Sequence, residues 1–230
     1  MIRSYLSQMV AVVSGVLIWG AVIASPILDL GSTHDELPLF IPKITLNASV
    51  EVVEFFSYAC GHCANLEPAF TRFGKKWAPQ NVAVIKVPAV FNDTFEFYAR
   101  VYYALESENL LDKTHVALFS AIHADKVISG PDSLKKWLKS RGVNSERLFK
   151  LMASEPITSK IKLAIQYQNQ YRPAYVPIAY VNGKYSTSPS QTGGAPEFFE
   201  VLQELVKQEM PSKPRHIPKV RKITKPDAHS

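Results

Sequence analysis

The sequence of 230 residues has only two cysteines, which excludes small folds held together by several disulfides. The body of the chain also lacks an excess of charge of either sign, since residues 31–210 carry 19 basic and 18 acidic side chains. The net charge of +6 comes mostly from the tail 211–230, which alone carries +5. A nucleic-acid-binding domain needs a basic face on its folded part. We therefore expect no nucleic-acid partner.

No charged residue interrupts the segment between Arg3 and Asp29. Its apolar run at 9–24, after a positive start, is typical of a secretory signal peptide with cleavage before Ser25. The alternative is an uncleaved membrane anchor, because the apolar stretch continues to Leu28 and reaches about 20 residues. Either way, we expect the bulk of the chain to lie outside the cytosol, where disulfide chemistry is possible.

Alternating blocks of apolar pattern divide the rest of the chain. In order, they predict a buried strand at 49–57, a helix at about 60–77, a second buried strand at 82–87, four or five helices over about 75 residues, a strand at 177–181 leading into a hairpin turn, and a helix at 195–209. A strand, a helix and a strand within about 40 residues form a βαβ unit with a parallel sheet. The fold class is therefore α/β.

Cys60 and Cys63 form a Cys-x-x-Cys pattern that follows a predicted strand and opens a predicted helix. The N-terminus of a helix carries partial positive charge and free N–H groups, which favour a thiolate on the first cysteine. Gly61 allows the turn, and His62 places a donor or a positive charge beside the sulfur. Thiol–disulfide exchange needs one exposed sulfur of low pKa and a second sulfur nearby to resolve the mixed disulfide. The pattern predicts a redox pair.

Two other uses of the cysteines compete with this interpretation. Half of a zinc site would have to recruit His34, His115 or His123, because the sequence has no second cysteine pair. A purely structural disulfide would close a very small loop and would stabilise little. The position between strand and helix favours the redox pair, and we expect neither a metal nor an organic cofactor besides the Cys60–Cys63 disulfide.

The segment Cys60–Phe70 (CGHCANLEPAF) looks like the active-site segment of thioredoxin-fold oxidoreductases, and closely like that of protein disulfide isomerases. The preceding segment 53–58 resembles the strand before the active site of bacterial DsbA proteins, as does Val176-Pro177 with the segment 181–185. The resemblance covers about residues 38–209 and implies a thioredoxin fold interrupted by an all-helical domain. Together with the apolar N-terminus and the basic, proline-rich C-terminus, it divides the chain into a signal peptide or N-terminal anchor at 1–24, a linker at 25–39, the first part of a thioredoxin-like domain at 40–92, a helical insert at 93–165, the second part of the domain at 166–210, and a disordered tail at 211–230.

The resemblance also implies roles for single residues. Cys60 would be the attacked cysteine and Cys63 its buried partner. Pro177 would be a cis-proline facing the disulfide, with the backbone of Val176 pairing with an extended substrate segment. An ordinary proline at the start of a strand is the alternative.

Glu54 and Lys86 occupy the segments where the family keeps a buried acid–lysine pair. A buried charge is costly unless it is paired, so their presence in apolar strands is informative. Such a pair could move protons to or from Cys63. The alternative is that one or both side chains point to solvent at a strand edge.

The family implies a periplasmic enzyme that introduces disulfide bonds into secreted proteins. Its substrates would be unfolded or reduced proteins, and a DsbB-type quinone-linked membrane oxidase would reoxidise it. We expect a monomer. One departure is the dipeptide Gly61-His62, where DsbA proteins commonly have Pro-His, and this keeps a disulfide isomerase or reductase open as an alternative. A second is the basic tail, which is either a solvated appendage or attracted to an anionic membrane surface. A non-redox secreted peptide-binding chaperone is the alternative from a different class.

Overall fold

The computed structural model describes residues 33–211, with the exception of residues 40 and 46. The predicted signal peptide or anchor at 1–24, the first part of the predicted linker and the tail beyond residue 211 lie outside the described residues. Within the described part of the chain, no helix is long and apolar enough to cross a membrane.

Among the described residues, five strands form one mixed sheet in the order β1-β5-β4-β2-β3. The strands are β1 (Asp35–Glu36), β2 (Val50–Phe56), β3 (Val82–Pro88), β4 (Ile178–Val181) and β5 (Tyr185–Thr187). Strands β2 and β3 are parallel, and the other neighbours are antiparallel. The βαβ unit predicted from the apolar pattern is therefore present, with β2 at the centre of the sheet.

Eight α-helices of the described part of the chain accompany this sheet. They are α1 (Gly61–Trp77), α2 (Asp93–Ser107), α3 (Leu111–His123), α4 (Pro131–Ser140), α5 (Ser145–Met152), α6 (Glu155–Tyr171), α7 (Pro189–Thr192) and α8 (Ala195–Glu209). Helices α2 to α6 follow one another between β3 and β4. The chain therefore leaves the sheet after Pro88, the last residue of β3, and returns to it at Ile178, the first residue of β4. The intervening segment has 89 residues.

Strand β2 buries both of its faces, as its continuous apolar pattern predicts. Val50 and Val52 pack against α1 and α8 in one hydrophobic cluster. Val53 and Phe55 point to the opposite face and pack with residues of α6. Because side chains alternate along a strand, Glu54 lies on the same face as Val52 and is directed towards α1.

Two boundaries differ from the prediction. Asp35 and Glu36, inside the predicted linker at 25–39, form β1 and pair with Ser186 and Tyr185 at the edge of the sheet. A strand of two residues is too short to carry an alternating pattern, so no local pattern predicts it. Helix α6 continues to Tyr171, beyond the predicted boundary of the insert at 165.

Candidate active site

The two cysteines lie at the N-terminus of α1, which begins shortly after the end of β2. Cys60 is the N-cap residue, with an extended backbone, and its Sγ accepts a hydrogen bond of 3.2 Å from the Cys63 backbone N–H. Cys60 is half-buried and Cys63 is buried, and both are free thiols. One sulfur is thus accessible to another molecule while the second stands directly behind it.

The surroundings of the two sulfurs drive their pKa values apart. The hydrogen bond from the Cys63 thiol, helped by the N–H groups of Cys63 and His62, lowers the pKa of Cys60 to about 6 against the opposing effect of burial. Burial raises the pKa of Cys63 far above its usual range, and the hydrogen bond to Cys60 adds to this effect. At neutral pH the outer sulfur is therefore mainly a thiolate, and the inner sulfur is a thiol.

A second chain segment approaches Cys60 from the start of β4. The Val176–Pro177 peptide bond is cis. The Val176 carbonyl oxygen lies 3.5 Å from the Cys60 Sγ. This approach follows from strand pairing, because Ile178 lies opposite Phe55 near the end of β2. The segment that precedes β4 therefore lies beside the segment that follows β2.

A groove of about 670 Å³ opens on this side of the cysteines. Its lining includes His62, which is exposed, and Tyr175, which is 42% exposed. The remaining wall is contributed by α1, by the cis-peptide segment, by α7 and by the start of α8, through Asn65, Leu66, Val176, Pro177, Pro189, Ser190, Gly194 and Ala195. The lining is largely apolar, which suits an extended peptide segment.

Glu54 and Lys86 meet behind the cysteines and do not point away into solvent. Glu54 of β2 is fully buried, and its carboxylate contacts the Lys86 ammonium of β3, whose side chain is 15% exposed. The same ammonium lies 2.6 Å from Oε2 of Glu67, a buried residue of α1. One cation is therefore shared by two buried carboxyl groups.

Burial raises the pKa of Glu54 to about 7, although the charge of Lys86 acts in the opposite direction. Burial also acts to raise the pKa of Glu67, but the hydrogen bond from His115 and the charge of Lys86 lower it to about 2. The two carboxyl groups are thus separated in pKa by their partners.

Three residues of this cluster were not predicted from the sequence: Glu67, His115 and Tyr58. His115 of α3 places Nε2 at 3.2 Å from Glu67 Oε2, and its Nδ1 lies 2.5 Å from the Tyr58 hydroxyl. A signal for Glu67 exists, because it lies four residues after Cys63 and therefore on the same face of α1. His115 comes from the helical insert, and nothing in its local pattern distinguishes it from a residue of an ordinary helix face.

His123, the last residue of α3, packs against the turn between the cysteines. Its Nε2 donates a hydrogen bond of 2.8 Å to the Tyr58 carbonyl oxygen. A Cβ atom added to Gly61 would lie 3.6 Å from His123 Nδ1, which is an ordinary contact distance. The glycine is therefore not required by crowding at this point.

The histidines weighed as zinc ligands occupy separate places in the described structure. His115 contacts Glu67 and Tyr58, and His123 contacts the Tyr58 carbonyl. Among residues 33–211 other than 40 and 46, no group of three or more His, Cys, Asp or Glu side chains is arranged to hold a metal ion.

Comparison with known proteins identifies a consistent set of relatives. The chain is 30% identical over 183 residues to the thiol:disulfide interchange protein DsbA of Azotobacter vinelandii, which covers 79% of this chain and 85% of that protein. It is 32% identical over 160 residues to the DsbA of Burkholderia cepacia, covering 69% of this chain and 75% of that protein. A scan of protein-family models finds no match.

Solved structures agree with these relatives. The crystal structure of Pseudomonas aeruginosa DsbA superposes with a TM-score of 0.71 at 28% identity, over 78% of this chain and 93% of that one. The oxidoreductase DsbA of Xylella fastidiosa gives a TM-score of 0.70 at 29% identity, over 78% and 96%. The predicted thioredoxin fold with an inserted all-helical domain is confirmed.

Proposed function

The chain belongs to the DsbA family of thiol:disulfide interchange proteins, and from this we propose how its own residues carry out the exchange. It is a thiol:disulfide oxidoreductase that introduces disulfide bonds into proteins. We assign the attacked sulfur to Cys60 and the resolving sulfur to Cys63. The observation that carries this assignment is the contrast between them: Cys60 is accessible with a pKa of about 6, whereas Cys63 is buried with a raised pKa.

In the oxidising direction, a substrate thiolate attacks the Cys60 Sγ of the Cys60–Cys63 disulfide. The sulfur–sulfur bond breaks, and its electron pair passes to the Cys63 Sγ, which takes up a proton. A second substrate thiolate then attacks the substrate sulfur of the mixed disulfide. Cys60 leaves as a thiolate, and its lowered pKa favours this departure. The products are an oxidised substrate and the dithiol enzyme, and no metal or organic cofactor enters the reaction.

Val176 and Pro177 are proposed to receive the substrate backbone. The Val176 carbonyl, already 3.5 Å from the Cys60 Sγ, lies where an extended chain linked to that sulfur would run. Strand addition supplies main-chain hydrogen bonds without selecting a particular sequence, which suits an enzyme whose substrates are unfolded or reduced proteins. The apolar groove beside it would hold the substrate side chains.

The dipeptide Gly61-His62 resembles that of protein disulfide isomerases, and we propose that it makes the pair less oxidising than its strongly oxidising relatives. Gly61 contributes no side chain to the sulfur, and His62 is exposed, so its charge acts only weakly on Cys60. The same site can then exchange disulfides in the isomerase or reductase direction when the redox poise of its surroundings is low.

We further propose that the protein acts as a monomer in the periplasm, is delivered there by residues 1–24 as signal peptide or membrane anchor, and is reoxidised by a DsbB-type quinone-linked membrane oxidase. The basic tail 211–230, at +5, suits weak attraction to an anionic membrane surface. The family membership and the apolar N-terminus support this localisation.

The test is oxidative refolding of a reduced, unfolded substrate protein in the presence of wild type, Cys60→Ser and Cys63→Ser. Cys60→Ser should form no mixed disulfide and should give no acceleration. With oxidised glutathione as the oxidant, Cys63→Ser should accumulate mixed disulfides at Cys60, because the variant has no second sulfur that can release them. Acceleration by Cys60→Ser equal to that of wild type would instead favour a non-redox chaperone.

A further inference from the structure

Helix α3 of the insert holds Tyr58 at both ends. The Tyr58 hydroxyl lies 2.5 Å from His115 Nδ1, and the Tyr58 carbonyl oxygen accepts a hydrogen bond of 2.8 Å from His123 Nε2. The Tyr58 ring is buried in a cluster that includes Phe119, which also belongs to α3. Because Tyr58 stands two residues before Cys60, the insert is tied to the backbone that leads into the redox pair.

The other polar groups of this turn are held from within it. The Cys60 N–H donates a hydrogen bond of 3.0 Å to the Ser57 carbonyl oxygen, and the Ala59 N–H donates one of 3.1 Å to the Ser57 Oγ. The partner of the Tyr58 carbonyl, in contrast, comes from His123, 65 positions further along the chain. Tyr58 is 1% exposed, so water cannot replace this donor. Loss of the bond would leave the peptide that follows Tyr58 free to rotate.

The residue after Cys60 adds little rigidity to the turn. Gly61 is the first residue of α1, and it has no side chain that would restrict its backbone. A Cβ at this position would meet the His123 ring, with Nδ1 at 3.6 Å. The imidazole therefore bonds to the chain before Cys60 and borders the chain after it.

Building on the proposed function, we propose that His123 is a positioning residue of the exchange reaction, which holds the Cys60 sulfur at the N-terminus of α1 by fixing the Tyr58 carbonyl. The Cys60 thiolate is stabilised by hydrogen bonds from the Cys63 thiol and from the N–H groups of Cys63 and His62. Hydrogen bonds weaken steeply when their angles are disturbed. A rotation of the peptide after Tyr58 would move the sulfur relative to these donors and raise the pKa of Cys60.

The bond to Tyr58 requires a donor and not a charge. A carbonyl oxygen only accepts, so His123 Nε2 carries a hydrogen, as it does in the imidazolium and in one neutral tautomer. A glutamine places an N–H group the same number of bonds from Cβ and carries no charge. A phenylalanine keeps a ring beside Phe119, on which the imidazole stacks with centroids 6.5 Å apart, but it offers no donor. These two substitutions separate the hydrogen bond from packing and charge.

The test compares the rates of Cys60 alkylation by iodoacetamide between pH 4 and 9 in reduced wild type, His123→Phe and His123→Gln. Cys63 is buried with a raised pKa and therefore stays an unreactive thiol. The wild-type midpoint is expected near pH 6, and in His123→Phe it should rise by about one pH unit, which slows alkylation at pH 6 about fivefold. His123→Gln should keep the wild-type midpoint. An unshifted midpoint in His123→Phe, or an equal rise in His123→Gln, would overturn the proposal.

A proline at position 61 tests whether His123 acts by restraining the turn. Proline fixes its own φ and favours an extended residue before it, and Cys60 already has φ −99° and ψ 112°. As the first residue of α1, position 61 has no helical hydrogen bond to lose. In the Gly61→Pro background, His123→Phe should therefore shift the midpoint by about half as much or less. Equal shifts in the two backgrounds would contradict a positioning role.

Ser120→Ala is the matched control for changes on α3. Ser120 precedes His123 by one turn, and its side chain makes no hydrogen bond to the turn at 57–60 in the described structure. Its alkylation midpoint should equal that of wild type, and a rise as large as that of His123→Phe would refute the specific role of His123. If the proposed function itself fails, wild type will form no mixed disulfide with oxidised glutathione, whereas the alkylation midpoints can still be measured.

Discussion

The Cys63 side chain has the largest effect in lowering the pKa of Cys60, so the change in this pKa when Cys63 is replaced should be measurable directly. A hydrogen bond to a charged acceptor contributes about 1.5–3 kcal/mol, which corresponds to roughly 1–2 pH units. Because Cys60 is half-buried, screening by water reduces this to about one unit. In Cys63→Ala we therefore expect the pKa of Cys60 to rise from about 6 to about 7.

The matched control is Cys63→Ser, which keeps a donor at the same place. At pH 7 the thiolate fraction of Cys60 should be about nine-tenths in the serine variant and about one-half in the alanine variant. The rate of alkylation by iodoacetamide between pH 4 and 9 reports this fraction, and each variant has one cysteine only. Equal midpoints in the two variants would refute the assigned hydrogen bond.

The same pKa sets an expectation for the reduction potential. A pKa of about 6 in place of 9 stabilises the dithiol form at pH 7 by at most about 1.4 kcal/mol, or about 30 mV, and less once solvent screening is counted. A thiol of pKa about 3.5, as in a strongly oxidising relative, gives about 100 mV and a potential near about −120 mV. We therefore expect a potential of about −190 mV. The potential can be measured by equilibration in glutathione buffers, with the dithiol fraction determined from the mass of the alkylated protein. A value near about −120 mV would contradict the claim that the pKa of Cys60 sets the potential.

Three further outcomes concern stability. The pKa of Glu67 in the folded protein, about 2, lies below its ordinary value of 4.5. Its ionisation therefore stabilises the fold fully above about pH 4.5, and this stabilisation is lost as the pH falls towards 2. Urea unfolding should show a loss of about 3 kcal/mol over this range in wild type and no such loss in Glu67→Gln. Phe198→Ala should cost about 3–5 kcal/mol in urea unfolding, because the ring is fully buried between the sheet and α1, and a loss below about 1 kcal/mol would contradict that packing. Gly183→Ala should lower the thermal unfolding midpoint more than its control Gly142→Ala. Both glycines have a positive φ, but only at Gly183 would a Cβ lie 2.0 Å from the Ile41 carbonyl oxygen. Equal midpoints in the two variants would refute this contact.

The sequence was informative where chemistry and local pattern coincide. Cys60 and Cys63 lie between a strand and a helix that both carry clear apolar patterns, so their position at the helix N-terminus could be predicted. Glu54 and Lys86 were noticeable because charges are rare in apolar strands, and the structure brings them into contact.

The rest of the cluster depends on packing between distant segments. Glu67 lies in a helix that also carries exposed polar residues, so its charge looks like part of a solvated face until α3 and β3 cover it. His115 reaches Glu67 only because the helical insert folds back over α1, 48 positions later in the chain by residue number. Contacts of this kind have no local pattern, and a single sequence cannot reveal them.

The C-terminal end of the described chain lies at the pole of the molecule that is remote from the cysteines. Leu37 and Ile41 donate backbone hydrogen bonds to Lys184 and Gly183 in the turn between β4 and β5, and Glu209 at the end of α8 bonds the side chain of Lys184. This turn lies at the start of β2, whereas the cysteines follow its end, about 20 Å away along the strand. A tether, tag or surface attached after the end of α8 therefore leaves the reactive sulfur at the opposite pole, accessible to large unfolded chains.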